Sequence, residues 1–256
     1  IALGEILGVL QNQDMKALGV ENIHSWRWIG DASRIAFADR DFYVGDPAFV
    51  NVPTRALISQ AYLKPRAEEI RQSDKALENI QAGKFGKAYV QGMAVELPST
   101  SHLVVVDKDG NVVSMTTSIE NAFGSGLMAN GYLLNNELTD FAFNPVGADG
   151  KTVANSVAGG KRPRSSMAPT IVMKGGKPYL AVGSPGGSRI IGFVAKTLVA
   201  HIDWGMDIQA AISLPNMLNR GSQYEIEEKT AAADKAAALE KLGYKVQIRD
   251  LNSGVQ

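Results

Sequence analysis

The sequence predicts an α+β protein, and three observations support this fold class. Over residues 1–83 the apolar side chains recur at the three- and four-residue spacing of amphipathic helices. From Thr100 onward the apolar spacing changes to two, which is typical of strands. Two pairs of these strands flank glycine-containing turns, which predict β-hairpins. Hairpins with flanking helices indicate layered α+β packing.

The first element in chain order is the helical part, residues 1–83. Ile6 and Val9 illustrate its helical spacing. Pro53 and Pro65 are predicted to stand where helices begin or end, because proline lacks the backbone N–H that a helix interior requires.

Residues 84–98 show no apolar periodicity. We expect this segment to be an exposed connection, and the turn-rich stretch 41–52 to be another. The stretch Ser99-Thr100-Ser101-His102 follows residue 98 and leads directly into the alternating run that begins at Leu103. An exposed tether of this kind is what a proteolytic processing site needs.

Two hairpins are predicted after Thr100. Each has two runs of alternating apolar residues around a short turn with glycine, which readily adopts the left-handed backbone of tight turns. The first has strands at 103–106 and 112–115 with a turn at 108–110, and the second has strands at 170–173 and 178–182 with a turn at 175–176.

Three helices are predicted in the last part of the chain. One begins near Arg189 after the Gly186-Gly187 turn, and its apolar run, 190–202, is too short to span a bilayer and is predicted to be a core helix. The others are predicted near 208–214 and 231–242, the latter closed by Gly243 as a C-terminal cap.

Composition excludes several classes of partner and site. The chain has 26 basic and 26 acidic residues, so no net field attracts nucleic acid or an anionic membrane. It has no cysteine, and its three histidines lack the spacing of metal ligands, so neither a disulfide nor a metal site is predicted. The basic run Lys161-Arg162-Pro163-Arg164 is interpreted as a solvated loop.

Thr100 is the candidate catalytic residue. Cleavage of the Ser99-Thr100 bond would give an N-terminal threonine with a hydroxyl nucleophile and a free α-amine that can act as its base. Thr100 can itself attack the carbonyl of Ser99 in a strained turn, forming an ester that water then opens. Alone, Ser-Thr-Ser-His is also an ordinary strand entrance rich in hydroxyl groups.

Four further motifs follow Thr100 in a fixed order. They are Ser118-Ile119-Glu120, Asn135-Asn136-Glu137-Leu138-Thr139-Asp140-Phe141, Lys161-Arg162-Pro163-Arg164-Ser165-Ser166-Met167-Ala168-Pro169-Thr170, and Gly183-Ser184-Pro185-Gly186-Gly187-Ser188-Arg189. With the Thr-Ser-His start, they resemble the γ-glutamyltransferase family of N-terminal-nucleophile hydrolases. The resemblance extends over residues 1–256.

The resemblance implies a four-layer α/β/β/α sandwich, which this sequence would contain incompletely. It implies that residues 1–99 are the C-terminal part of a large subunit that ends in the processing tether. Residues 100–256 would be most of a small catalytic subunit without its last strand. The two subunits would share one structural domain and remain a heterodimer, and bacterial relatives imply a periplasmic or secreted protein with any signal peptide upstream.

The resemblance also implies roles for individual residues and needs no cofactor. Ser118 would orient the Thr100 nucleophile, and Gly186 and Gly187 would form the oxyanion hole. Glu120, Glu137 and Asp140 would bind the substrate ammonium, and Ser165 and Ser166 its carboxylate. The family's carboxylate-binding arginine lies further upstream, and no arginine of this sequence is assigned to it.

Structural interpretations remain open at several of these positions. Ser118 can simply be a serine on an outward strand face, and Ser-Pro-Gly-Gly-Ser can be a tight turn or a phosphate loop, although it lacks the P-loop lysine and the dinucleotide-binding spacing. The loop 142–160 can be a lid over the donor pocket. His102 is interpreted as a packing residue.

The function implied is cleavage of γ-glutamyl amides such as glutathione through a γ-glutamyl-threonine ester, with transfer to water or to an amino acid or peptide amine. One alternative is a glutaryl-type β-lactam acylase or a poly-γ-glutamate-processing enzyme with the same nucleophile. The other is an inactive binding or scaffold homologue. Neither nucleic acid nor a membrane span is expected.

Overall fold

The structure is a computed structural model that describes residues 1–86, 89–92, 99–251 and 253–256. Its first part is helical, as the apolar spacing predicts. The helices are α1 (Ala2–Leu10), α2 (Met15–Leu18), α3 (Ile23–Tyr43), α4 (Thr54–Leu57) and α5 (Gln60–Arg71). Because α3 extends to Tyr43, the connection predicted from residue 41 begins at Val44.

The main core lies where α1 packs on α3. Ile6 and Val9 of α1 and Ala32 and Ile35 of α3 have no exposed surface. Each large aliphatic side chain buried in this way contributes about 1.5–3 kcal/mol to the free energy of unfolding. Spacing of three or four residues puts these side chains on one helix face, so the sequence pattern directly produces the interface.

The two prolines of this part behave differently. Pro53 directly precedes α4, as predicted. Pro65 lies inside α5, so its predicted place at a helix end is wrong. A proline there removes one helical hydrogen bond, and the complete burial of Leu63 and Ile70 on the same helix offsets that loss.

The segment 84–98 is only partly covered by the structure, since residues 87–88 and 93–98 lie outside the described ranges. In the described part, Tyr89 is buried among apolar residues, and the Gly92 N–H donates to the Asp41 carbonyl at 3.2 Å. The prediction that the whole segment is exposed is therefore wrong at Tyr89.

The strands of the remaining chain form hairpins and one small mixed sheet. Their bounds are β1 (Ser101–Val106), β2 (Val112–Thr117), β3 (Met128–Ala129), β4 (Tyr132–Leu133), β5 (Thr170–Lys174), β6 (Lys177–Val182), β7 (Met217–Asn219), β8 (Tyr224–Glu227) and β9 (Val246–Arg249). The β1–β2 and β5–β6 hairpins confirm both predicted pairs. Their turns contain Gly110, Gly175 and Gly176 at positive φ, as tight turns require.

Three helices lie in the C-terminal half, as predicted. They are α6 (Ile190–Ile202), α7 (Ile208–Ser213) and α8 (Ala236–Lys241), and short 3₁₀ turns precede α6 and α8. Helix α6 is a core helix, with Phe193 and Val194 fully buried. Gly243 follows α8 at φ +99°, which is the expected C-terminal cap conformation.

The small sheet β7–β8–β9 was not predicted from the sequence. Strand β8 pairs antiparallel with β7 and parallel with β9. Its Glu225 is buried and pairs with Arg189, Arg220 and Arg249. Burial alone would raise the pKa of Glu225, but the arginines outweigh this effect and lower it. Its sequence, Tyr224-Glu225-Ile226-Glu227, does alternate apolar and acidic residues, but over only four positions, the lower limit for a recognisable strand pattern.

The mixture of helices and antiparallel sheets confirms the α+β class. Within the described residues, β1–β2 and β5–β6 form separate two-stranded sheets, and the four-layer arrangement remains a prediction. No described helix is both long enough and apolar enough to cross a membrane.

Candidate active site

Thr100 lies at the entrance of β1 in an unusual backbone conformation. Its φ is +103°, a region that a β-branched residue rarely adopts. Such conformations cost of order 1–3 kcal/mol and persist only when the surrounding structure imposes them. The bond between Ser99 and Thr100 therefore ends in a strained residue.

Ser118 faces Thr100 because of the register of the first hairpin. Ser101 of β1 pairs with Thr117 of β2, so the next pair outward is Thr100 and Ser118. The Thr100 hydroxyl donates to Ser118 Oγ at 3.2 Å, and Ser118 Oγ also accepts the Glu120 N–H at 2.9 Å. Ser118 thus contacts the candidate nucleophile and the loop that carries Glu120.

The Gly186-Gly187 turn reaches the same place from the second hairpin. The Gly186 N–H donates to the carbonyl oxygen of Ser99 at 3.0 Å, which is the carbonyl that processing would attack. Both glycines have positive φ, +132° and +58°. A Cβ on Gly186 would lie 2.6 Å from the Phe193 ring, so only glycine brings this N–H so close.

Three carboxylates converge beside Thr100. Glu137 and Asp140 lie at the two ends of one 3₁₀ turn, and Glu120 follows β2 at φ +70°. One oxygen from each carboxylate lies within 4.8 Å of the others, while Glu120 and Asp140 are buried. Three carboxylates this close make an anionic site, and their oxygen ligands suit either an ammonium group or a hard metal ion.

Ser165 and Ser166 complete the site from the segment before β5. Ser166 is buried, and its hydroxyl oxygen accepts a hydrogen bond from Arg40 Nη2 at 2.5 Å. Ser165 is exposed, and its Oγ accepts the Met167 N–H at 3.1 Å. The two adjacent serines therefore offer hydroxyl groups in different surroundings.

One small cavity brings nearly all of the predicted residues together. Its volume is about 20 Å³, enough for a single water molecule. It is lined by Thr100, Ser118, Glu120, Glu137, Asp140, Ser165, Ser166, Met167, Gly187 and Ile190. Gly186 touches Ser99 at the edge of this group.

The basic run 161–164 is not the solvated loop expected from its sequence. Arg164 is buried and pairs with Asp41 at 2.9 Å, and Lys161 is buried and donates to the Ala154 carbonyl at 2.7 Å. Arg162 is exposed but still contacts a buried Asp46. The carboxylates that pair with the two arginines lie at or just after the end of α3, and nothing within the sequence run itself reveals them.

Asp46 is held by both backbone and side-chain groups. Its carboxylate accepts the Arg162 N–H at 2.9 Å and the Ala48 N–H at 3.1 Å, and the Arg162 side chain lies 3.4 Å away. Because these groups all favour the charged form, they lower the pKa of Asp46 to about 2.

His102 has the packing role expected for it. Its ring is buried, bonds Thr116 Oγ1 through Nδ1 at 2.8 Å, and occupies the space that a side chain at Gly183 would need. Burial lowers the pKa of His102, which favours the neutral ring.

The loop 142–160 does not line the site cavity. Its central part is buried, and Asn155 donates to the Asp140 carbonyl at 2.7 Å and accepts the Arg164 N–H at 2.9 Å. Asn155 therefore fixes two residues of the site region, a role that sequence reasoning missed. Arg40 was missed as well, although its place four residues after the buried Ala36 puts it on the buried face of α3.

Comparison with known proteins agrees with this geometry. A family model described as Gamma-glutamyltranspeptidase matches residues 1–256. The chain is 38% identical to the glutathione hydrolase proenzyme of Escherichia coli (strain K12), with 100% of this chain and 44% of that protein covered. It is 39% identical to the glutathione hydrolase proenzyme of Bacillus subtilis (strain 168), with coverage of 96% and 42%. The chain thus spans less than half the length of these relatives.

The chain is also similar to an acylase. The acylase ACY 1 proenzyme of Pseudomonas sp. (strain SE83) is 34% identical, with 96% of this chain and 41% of that protein covered.

Solved structures show the same relationships. The gamma-glutamyltranspeptidase T380A mutant of Helicobacter pylori is 39% identical, with a TM-score of 0.55, 60% of this chain covered and 87% of that one. A cephalosporin acylase from Bacillus halodurans gives a TM-score of 0.71 at 24% identity, covering 96% of this chain and 42% of that one. At that identity the second match shows a shared fold only.

Proposed function

This chain belongs to the gamma-glutamyltranspeptidase family, and we propose that it forms the catalytic part of a self-processing γ-glutamyltransferase and hydrolase. The enzyme would cleave γ-glutamyl amides such as glutathione and pass the glutamyl group to water or to an amine. The observation that carries this proposal is the single cavity lined by Thr100, the three carboxylates and the two serines.

Processing begins, in this proposal, with attack of the Thr100 hydroxyl on the Ser99 carbonyl. The C–N bond between the two residues breaks, the nitrogen takes up the hydroxyl proton, and an ester joins Ser99 to Thr100 Oγ1. Water then opens the ester and leaves a carboxylate on Ser99 and a free amine on Thr100. The Gly186 N–H, already 3.0 Å from the Ser99 oxygen, stabilises the oxyanion, and strain at Thr100 favours breakage.

Turnover uses the same hydroxyl on the substrate γ-carbonyl. The freed α-amine of Thr100 accepts the hydroxyl proton and passes it to the departing amine, leaving a γ-glutamyl ester on Thr100. Water or an acceptor amine then resolves this ester. The Gly186 and Gly187 amides serve as the oxyanion hole, and Ser118 orients Thr100 Oγ1 through their 3.2 Å contact.

Substrate recognition follows from the charge pattern of the cavity. Glu120, Glu137 and Asp140 form an anionic cluster suited to the α-ammonium group. Ser165 and Ser166 offer hydroxyl donors to the α-carboxylate. If these carboxylates held a metal ion instead, prolonged dialysis against EDTA would abolish donor hydrolysis.

Three further features of the whole protein are proposed from the family. Residues 1–99 and 100–256 would become parts of two subunits that remain associated in a four-layer core. The protein would be periplasmic or secreted.

The acylase-like relative keeps a second candidate function open. A glutaryl amide has no α-amine, so an enzyme that cleaves it gains nothing from three clustered carboxylates. The cluster therefore favours a glutamyl donor. A poly-γ-glutamate donor would use the same cluster at its terminal residue. An inactive scaffold would have no need for the strained Thr100.

One experiment tests the proposal. The purified full-length protein is incubated, resolved on a denaturing gel, and then assayed with chromogenic γ-glutamyl, glutaryl and poly-γ-glutamyl donors. We expect two chains, a new N-terminus at Thr100 and preferred release from the γ-glutamyl anilide. A single uncut chain without activity would support the scaffold alternative, and preference for the glutaryl donor would support the acylase.

A further inference from the structure

Arg40 connects the helical part of the chain to the candidate carboxylate site. It lies in the last turn of α3, is 3% exposed, and donates to Ser166 Oγ at 2.5 Å. The two residues are 126 positions apart and belong to opposite sides of the proposed cleavage point. Their contact would therefore become a contact between subunits after processing.

We propose that Arg40 is a positioning residue for the substrate α-carboxylate and acts by holding the Ser166 hydroxyl. This inference rests on the proposed function, because it assigns how one half of the glutamyl head group is recognised. It adds to the site a charged residue from the helical part of the chain.

The chemistry follows from the direction of the hydrogen bond. A guanidinium group can only donate, so Ser166 Oγ accepts from Arg40. Ser166 keeps its own hydroxyl hydrogen, which a substrate carboxylate can accept, and Ser166 lines the cavity that contains Thr100. Donation from a cation also polarises the hydroxyl, which makes it a stronger donor to a carboxylate.

Arg40 is itself held in place by neighbouring groups. Its Nη1 lies 3.2 Å from Asp41, and its guanidinium carbon lies 5.5 Å from the centre of the Phe37 ring. Asp41 also pairs with Arg164 at 2.9 Å. A guanidinium fixed on several sides fixes the hydroxyl that it contacts, which is what preorganised recognition of a carboxylate requires.

Arg164 provides a matched control for a purely structural role. It is also buried, belongs to the same ionic network through Asp41, and contacts the Arg40 carbonyl at 3.4 Å. If Arg40 served only to join α3 to the 161–166 segment, replacing either arginine would have the same kinetic consequences.

The test uses the full-length processed protein and three anilide donors. The γ-glutamyl donor carries both the α-amine and the α-carboxylate, the 4-aminobutanoyl donor lacks the carboxylate, and the glutaryl donor lacks the amine. We expect Arg40→Met to raise KM for the γ-glutamyl and glutaryl donors by about ten- to a hundredfold, as expected for loss of a charge-assisted hydrogen bond. KM for the 4-aminobutanoyl donor should stay constant, and kcat should change little.

Three further proteins, Arg40→Lys, Ser166→Ala and the double variant, decide the outcome if Arg40→Met folds or processes poorly. Arg40→Lys keeps the charge and one hydrogen-bond donor, so its KM should lie between those of the wild type and Arg40→Met. Ser166→Ala should reproduce the donor selectivity, and adding Arg40→Lys to it should cause no further loss, because Arg40 acts through Ser166. Arg164→Met should affect the three donors equally.

The inference is overturned if Arg40→Met and Arg40→Lys affect all three donors alike, or if the Ser166→Ala and Arg40→Lys effects simply add. If the wild type is active and prefers the γ-glutamyl donor, such a result leaves the proposed function intact. A wild type that releases no anilide from the γ-glutamyl donor overturns the proposed function itself.

Discussion

The backbone N–H of Gly186 donates a hydrogen bond of 3.0 Å to the carbonyl oxygen of Ser99. That oxygen would bear the negative charge when Thr100 attacks, and the same donor is suited to the substrate oxyanion after cleavage. In the uncut chain of the proposed enzyme, Ser99 would occupy the position that a substrate carbonyl needs. The uncut chain would therefore block its own site. A variant that cannot be processed should also be inactive.

Thr100→Ala is expected to leave a single uncut chain without γ-glutamyl transfer, because the attacking hydroxyl is removed from both reactions. Thr100→Ser keeps the hydroxyl and should process slowly and retain activity. Denaturing gels and anilide release measure the two effects. A cleaved and active Thr100→Ala protein would show that another group is the nucleophile.

Ser118→Ala should slow both processing and turnover by roughly two- to tenfold, the range expected for loss of the neutral hydrogen bond between Ser118 and the Thr100 nucleophile. The substitution removes the 3.2 Å contact with Thr100 and the acceptor of the Glu120 N–H. Ser118→Thr keeps the hydroxyl and serves as the control. Unchanged rates in Ser118→Ala would favour the interpretation of Ser118 as an ordinary strand residue.

Asp140→Asn should permit processing but weaken donors that carry an α-amine. Loss of a charge-assisted partner costs about 1.5–3 kcal/mol, or roughly ten- to a hundredfold in KM. The γ-glutamyl and 4-aminobutanoyl donors should be affected, and the glutaryl donor should not. Equal loss for all three donors would mean that Asp140 shapes the cavity without binding the ammonium.

Asp46 should make the stability of the protein depend on acidic pH. Its pKa is lowered from 3.8 to about 2 in the folded protein. The charged form is thus favoured by folding, so this stabilisation is complete above the unfolded pKa and is lost as the pH falls through the folded pKa. Urea unfolding at each whole pH unit from pH 5 to pH 2 measures this loss, because the range includes the unfolded pKa of about 4 and the folded pKa of about 2.

Two substitutions separate the sources of this effect. Asp46→Asn should remove the pH-dependent contribution. Arg162→Gln should retain most of it, because the Arg162 and Ala48 backbone N–H groups are the larger causes and remain. If Arg162→Gln flattened the profile as completely as Asp46→Asn, the side-chain ion pair would be the dominant cause.

The parts of the fold that follow from local pattern could be predicted from the sequence. Alternating apolar residues around Gly110 predict the first hairpin, and its register alone places Ser118 opposite Thr100. The contact between Arg40 and Ser166 joins a helix to a loop 126 residues away, and no local period encodes it. Sequence spacing could show that Arg40 lies on a buried face, but not which hydroxyl it meets.

The misinterpreted segments have a similar physical cause. The basic run beginning at Lys161 looks solvated because its acidic partners, Asp41 and Asp46, belong to a distant part of the chain. The sheet around β8 was missed because its strands have only three or four residues, and because the buried Glu225 of β8 pairs with arginines from other elements. In both cases, tertiary ion pairs allow charged residues to occupy positions that composition assigns to the surface.

Gly187→Ala should lower kcat more than it raises KM. Gly187 lines the site cavity at φ +58°, where a Cβ is strained and shifts the backbone donors away from an oxyanion that exists only along the reaction path. Loss of one such donor costs about 3 kcal/mol, or roughly a hundredfold in kcat. Because the residues proposed to bind the head group, Asp140 and Ser166, are not changed, donor KM should change little.

Gly176→Ala is the control for the backbone strain of Gly187→Ala. Gly176 has φ +78° in the turn of the second hairpin, and a Cβ there meets no atom within 4 Å. It should lower the free energy of unfolding about as much as Gly187→Ala and leave kcat unchanged. Steady-state kinetics and urea unfolding of both processed variants separate the two effects. If Gly187→Ala raised KM while its kcat matched that of Gly176→Ala, Gly187 would shape the donor pocket and would not stabilise the oxyanion.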